Sequence, residues 1–282
     1  MELCDLHCHS VFSDGTCTPE ELVDLALSAG LKALALTDHN TTDGLPRFVR
    51  AAEGRVGYLC GCELTTDLCG RELHLLALYR DEAGLDSIRR SLAEQTARKD
   101  RSTRDTIDRL AAAGYDVSYA EFRAMVGEGY KNRVHIGRYF IEKGIVPDLN
   151  TAFASFLSPD GPYYTEPERL RFFDMLPIIR ESGGVSVWAH PLLNASRAEA
   201  EDIARSAAER GLTGMEVYYS EFSDEDTSFL RGVCARCGLT ESGGSDFHGE
   251  NKSATRLGSG HGGLRVPLSC FRSLLARMPE RG

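Results

Sequence analysis

Three short stretches far apart in the chain carry imidazole and carboxylate groups at close spacing. They are Asp5-Leu6-His7-Cys8-His9 with Asp14 just beyond, Thr37-Asp38-His39, and Gly244-Ser245-Asp246-Phe247-His248-Gly249. Such donors suit zinc, iron, manganese and related ions. Seven of the eight histidines fall in these or similar segments, beside Asp14, Glu63 and Asp246, instead of scattering. The chemistry this suggests is metal-dependent hydrolysis.

Taken singly, each residue has an ordinary alternative. His7 and His9 can aim at one point only if their strand has ended or bent there, and Asp14 in Ser13-Asp14-Gly15 reads equally as an Asx turn. His39 could be a solvated loop residue, Glu63 a surface charge and His74 a core histidine satisfied by its neighbours. His190, before Pro191, follows the apolar run Val185 to Ala189, which delivers its ring at a strand end. Asp246 and His248 flank Phe247, and theirs is the most specific segment. Together, nine candidate donors exceed the roughly four to six that one ion takes, so the count implies two or three ions.

Positioning these groups calls for alternating strands and helices. Leu3 to Leu6 reads as a buried strand. Thr18-Pro19-Glu20-Glu21 then reads as N-cap, first-turn proline and acidic first turn of a helix stopped at Gly30. Lys32 to Thr37 is the next strand, completing a βαβ unit. Val56 to Cys62 leads to Glu63, Glu72 to Tyr79 is its hairpin partner carrying His74, and Gly184 to Ala189, Gly214 to Tyr219 and Leu239 to Ser242 continue the series. Most candidate ligands sit where a strand gives way to a loop, which is where α/β barrels and open α/β sheets place their sites. From Asp81 to about Glu168 the rhythm turns helical, with Ser87 to Ala113, His135 to Lys143 and Leu149 to Leu157 as helices. This predicts an α/β barrel over residues 1–80 and 169–282, with a helical insertion over 81–168.

A chain of 282 residues suits one barrel with an inserted subdomain, since such barrels run to roughly 200–250 residues as a single domain. The net charge of −10 argues against a protein that coats long nucleic acid, but bound cations can invert the field locally and admit a phosphate. Nine cysteines at irregular spacing do not form a secreted disulfide framework. The Cys234-Ala235-Arg236-Cys237 pair, lacking a second pair, reads as packing thiols. With no signal peptide expected at the N-terminus and no apolar run near 18 residues, the expectation is a reduced cytoplasmic protein without a membrane span.

These segments together resemble the PHP superfamily, named for polymerase and histidinol phosphatase. The likeness extends over nearly the whole chain: HxH at His7 and His9, SDG at Ser13 to Gly15, TDH at Thr37 to His39, GxE at Gly61 to Glu63, AHP at Ala189 to Pro191 and GSDFHG at Gly244 to Gly249. Arg133-Val134-His135-Ile136 is similar to a segment of the branch acting on nucleotides and RNA ends. The resemblance implies a distorted seven-stranded (β/α) TIM-like barrel with a trinuclear site of manganese, iron or zinc. His7, His9, Glu63 and Asp246 would hold one ion, Glu63 bridging to a second held by His74 and His190, with Asp14, His39 and His248 holding a third. Arg133 and His135 would bind the substrate phosphate, His135 also serving as proton donor to the leaving oxygen.

The activity implied is hydrolysis of a phosphate ester by metal-activated water, with Glu63, Arg133 and His135 as the residues that carry it. The substrate implied is a small phosphorylated molecule, a 5′-nucleotide or a nucleoside 3′,5′-bisphosphate, extending to short RNA trimmed from its 5′ end. A histidinol-phosphate phosphatase is the competing enzyme, and a non-catalytic PHP module the competing class. The second should have lost ligands, and here none is missing.

Overall fold

The computed structural model describes residues 1–126, 133–158 and 161–279. Its strands are β1 (Cys4–Asp5), β2 (Ala33–Leu36), β3 (Gly57–Leu68), β4 (Arg71–Tyr79), β5 (Leu170–Arg171), β6 (Val185–Trp188), β7 (Gly214–Tyr219) and β8 (Thr240–Gly244). The helices are α1 (Pro19–Ser28), α2 (Leu45–Ala52), α3 (Asp86–Ala112), α4 (Tyr119–Val126), α5 (Arg133–Glu142), α6 (Leu149–Ser155), α7 (Phe172–Glu181), α8 (Pro191–Asn194), α9 (Arg197–Glu209), α10 (Asp224–Cys237) and α11 (Leu268–Arg277). The chain divides into two units, Met1–Arg90 with Leu170–Gly282, and Ser91–Arg169; the first boundary falls inside α3.

In the first unit the strands run in the order β1-β2-β3-β4-β6-β7-β8, with β5 paired to β3. All pairings are parallel except those of β4, which is antiparallel to both β3 and β6. The Leu6 N–H donates to the Gly243 carbonyl at 3.1 Å and the Asp246 N–H to the His7 carbonyl at 2.9 Å. These bonds join the first strand to the last and make a nearly closed seven-stranded barrel. Gly244 permits that approach, because a Cβ there would lie 2.3 Å from the His7 Cβ.

Alternate strand residues, among them Cys4, Leu6, Ala33, Ala35, Leu76, Leu78, Val185 and Val187, share one core with Leu268 and Leu274 of α11, as the two-residue period of a strand requires. Thr18 caps α1 in a capping box with Glu21, and Pro19 occupies its first turn. These features follow the sequence pattern closely.

β3 departs from it. The pattern ended this strand at Cys62, but the structure carries it on to Leu68, so Glu63 lies within a strand and not at its end. The cause is β4, which pairs with β3 from Cys60↔Tyr79 to Leu68↔Arg71 and so supplies hydrogen-bond partners far beyond the parallel neighbour. Cys69 and Gly70 close the hairpin with φ of +54° and +83°, the positive values a two-residue turn of this hand needs.

The second unit is helical. Ile107, Leu110, Phe122, Ile136, Tyr139, Phe140, Ala152 and Leu157 form its core. The Arg133 guanidinium at the start of α5 lies 5.7 Å from the Phe153 ring centre and 5.6 Å from that of Tyr164. Among the described residues no helix is long and apolar enough to cross a membrane.

Candidate metal centre

The barrel brings its candidate ligands together from six strands or strand ends. His7 and His9 follow β1, His39 follows β2, Glu63 lies in β3, His74 in β4, His190 just past β6, and Asp246 and His248 past β8. Isolated parallel bridges Cys8↔Phe247 and His39↔Glu63 continue the strand pairing into these loops. They explain how residues outside regular strands are still held in register.

Glu63 sits at the centre and is fully buried. One oxygen, Oε1, stands 2.8 Å from His74 Nδ1 and 3.0 Å from His190 Nε2. The other, Oε2, stands 3.1 Å from His7 Nε2, 3.2 Å from His9 Nε2 and 3.1 Å from His39 Nδ1. Asp246 Oδ1 approaches the same two nitrogens of His7 and His9, at 3.5 and 3.2 Å. Asp14, about half exposed, places Oδ1 3.2 Å from His248 Nε2 and Oδ2 3.8 Å from His39 Nε2.

Three sets of donor atoms fall within 4.8 Å of one another: His7, His9, Glu63 and Asp246; His9, Asp14, His39 and His248; and His39, Glu63 and His74. His9 and His39 each belong to two sets. His190 stands outside these sets, although it touches the same Glu63 oxygen as His74. All nine sequence-derived ligand candidates are therefore in one centre, while Arg133 and His135 belong to the helical unit, in the first turn of α5.

The arrangement fits cations better than hydrogen bonding. His7 Nε2 and His9 Nε2 are only 3.1 Å apart, and the buried His9 Nδ1 and Glu63 Oε2 have no hydrogen-bond partner. Buried polar atoms are seldom left this way without an ion or water to answer them. Burial alone would favour a neutral Glu63, but His39, His7 and His74 outweigh it and hold the carboxyl well below its usual range. Burial likewise opposes protonation of His9 and His74, but the neighbouring carboxylates lift them to about 9 and about 10. His39 goes the other way: burial pushes it down to about 4.

Sequence reasoning missed the supporting layer. Glu216, fully buried in β7, accepts from His7 Nδ1 at 3.0 Å and from the His190 backbone N–H at 2.7 Å. Tyr219 donates its hydroxyl to Asp246 Oδ2 at 2.9 Å, and Lys252 Nζ reaches the same oxygen at 2.6 Å. The signal for Glu216 was a lone charge inside the buried strand Gly214–Tyr219; no local pattern marked Lys252. His248 Nδ1 donates to the Asp246 carbonyl at 2.8 Å, which leaves its Nε2 free to face Asp14. Asp5, also buried, accepts from Ser245 and Gly258 and anchors the loop that carries Asp246.

A set of mostly buried imidazoles and carboxylates clustered on an α/β barrel is that of a candidate metal-binding protein. The chain belongs to the PHP domain family, whose model matches residues 5–151. It is 31% identical over 283 residues to a 3′,5′-nucleoside bisphosphate phosphatase of Chromobacterium violaceum, covering 97% of each chain. A 5′-3′ exoribonuclease of Haemophilus influenzae is 29% identical over 246 residues, covering 86% of this chain and 89% of that one. The solved structure of a candidate metal-dependent phosphoesterase from Bifidobacterium adolescentis is 29% identical with a TM-score of 0.72, covering 99% of this chain and 97% of that one.

Proposed function

We propose that this chain hydrolyses phosphate monoesters of nucleotides, with 5′-nucleotides and nucleoside 3′,5′-bisphosphates as its substrate class. The chain is a metal-dependent phosphoesterase, and the observation that carries this is the convergence of five imidazoles on the two oxygens of Glu63. His7, His9, Glu63 and Asp246 would hold one divalent ion, Glu63 with His74 and His190 a second, and Asp14, His39 and His248 a third. Manganese, iron and zinc all suit these donors. Bound there, such ions supply Lewis acidity toward phosphate oxygens and lower the pKa of water.

The protein's own contribution is placement. Glu63 offers a separate oxygen to each side of the centre, and Asp246 is steadied by Tyr219 and Lys252. Arg133 and His135 are proposed as the phosphate-binding pair. The support is the Arg133 to Ile136 segment together with the planar fork by which guanidinium matches phosphate oxygens. Phe153 and Tyr164 lie close enough to restrain that guanidinium. His135 would donate a proton to the leaving oxygen.

Likeness to the bisphosphate phosphatase and the exoribonuclease supports nucleotide chemistry, and the charge of −10 favours small substrates over long polyanions. The test is phosphate release, with manganese present, from a panel of a 5′-nucleotide, a nucleoside 3′,5′-bisphosphate, a short 5′-phosphorylated RNA and histidinol phosphate. Release from the first two is expected; release from histidinol phosphate alone would overturn the substrate class. Replacing Arg133 by Ala should lower kcat/KM while bound metal stays at the wild-type level.

A further inference from the structure

β7 carries none of the candidate ligands, yet it touches three of them. Glu216 meets the His7 ring and the His190 backbone, and Tyr219 meets the Asp246 carboxylate. In a regular strand, residues three apart point to opposite faces. Here a register shift between Glu216 and Tyr218 places two residues of β7 against one step of β8. Such a bulge re-aims a side chain, so residues 216 and 219 can serve one site.

The hydrogen bonds of Glu216 set two properties of the ligands. A carboxylate only accepts, so His7 Nδ1 must donate to it, and in the neutral ring the nitrogen left with a lone pair is Nε2, which faces Glu63 and His9. His190 is held at φ +30° and ψ +58°, a left-handed conformation unusual for a residue other than glycine, and its N–H ends on the second oxygen of Glu216. That bond ties the turn which aims His190 Nε2 at Glu63.

We propose that Glu216 is a positioning residue that fixes the ring tautomer of His7 and the backbone of His190 at once, so that ion binding on both sides of Glu63 depends on it. The inference rests on the metal-dependent reading above, but its readout is ion binding and not turnover. Glutamine is the discriminating substitution. It has one acceptor oxygen where two N–H groups need one each: if that oxygen keeps the His190 N–H, the amide can only donate to His7 Nδ1, which drives the ring proton to Nε2, and if it keeps His7 the His190 N–H loses its partner.

The experiment titrates metal-free wild type and Glu216→Gln with Mn²⁺ and counts bound ions by equilibrium dialysis, with circular dichroism to confirm folding. Partners of this kind are worth roughly 10–100-fold in affinity. A Glu216→Gln protein that folds should bind Mn²⁺ more weakly by that factor and recover phosphatase activity when the ion is in excess. Wild-type affinity in a folded Glu216→Gln protein overturns the proposal.

Should the variant fail to fold, ¹⁵N spectra of the zinc-loaded wild type decide. A His7 proton on Nδ1 supports the assignment, and one on Nε2 overturns it. If the wild type binds Mn²⁺ but releases no phosphate from any nucleotide, the substrate reading fails while the affinity comparison still stands.

Discussion

In the barrel unit Asp5, Glu63, Glu216 and Asp246 are buried carboxylates, faced by imidazole, hydroxyl, ammonium or backbone N–H groups. In the helical unit the buried side chains include Ile107, Phe122, Phe140 and Leu157, while Arg98 and Lys143 pair with Glu94 and Glu121 nearer the solvent. Burying a charge is unfavourable unless it is paired and hydrogen-bonded, so a barrel that gathers Glu63, Glu216 and Asp246 around its imidazoles is arranged for cations. The helical unit is held by packing. Function and cohesion should therefore respond to different substitutions in the two units.

The largest separation is expected at Glu63. Glu63→Gln removes the group shared by both sides of the centre, and since a bound ion is worth several kcal/mol to the reaction, activity should fall on the order of 10³-fold. Metal analysis of the same sample should show fewer ions bound. Retention of both full ion content and full activity would remove Glu63 from the centre.

Phe140→Ala is the converse. Truncating a fully buried phenylalanine destabilises by about 3–5 kcal/mol, read as a lower midpoint in chemical denaturation, while the ion content of the folded protein should not change. Loss of metal in step with loss of packing would erase the distinction between the units.

The smallest effect is a proton count. His9 and His74 are lifted to about 9 and about 10, and despite burial the carboxylates around His7 raise it well above its usual range too, so all three carry a proton in the metal-free protein at pH 7.5. Ligation needs the neutral ring, so Mn²⁺ binding should release about three protons, and the number should fall as pH rises through 9 and 10. Calorimetry in buffers of different ionisation enthalpy measures it, and a count of zero at pH 7.5 would contradict the charge pattern.

How much of this was legible in the sequence followed distance along the chain. His7 with His9, and Asp246 with His248, were readable because each pair sits in one short segment at a strand end. His74 was readable on a hairpin partner strand, but the place of Glu63 inside β3 was not, because the length of that strand depends on pairing with β4 and not on local pattern. Membership of His9 and His39 in two donor sets follows from ring orientation, which no spacing encodes. Glu216 was passed over because a single acid in an apolar strand names no partner. The nearest clue was that burying it would demand one.

The most direct measurement strips the protein with a chelator, restores manganese stepwise, and records ions bound and phosphate released from a nucleoside 3′,5′-bisphosphate in the same samples. A multinuclear phosphoesterase predicts no release from the stripped protein and activity that rises as two or three ions bind per chain. Full activity without metal, or two to three ions bound with no release from this or any other nucleotide, would contradict it.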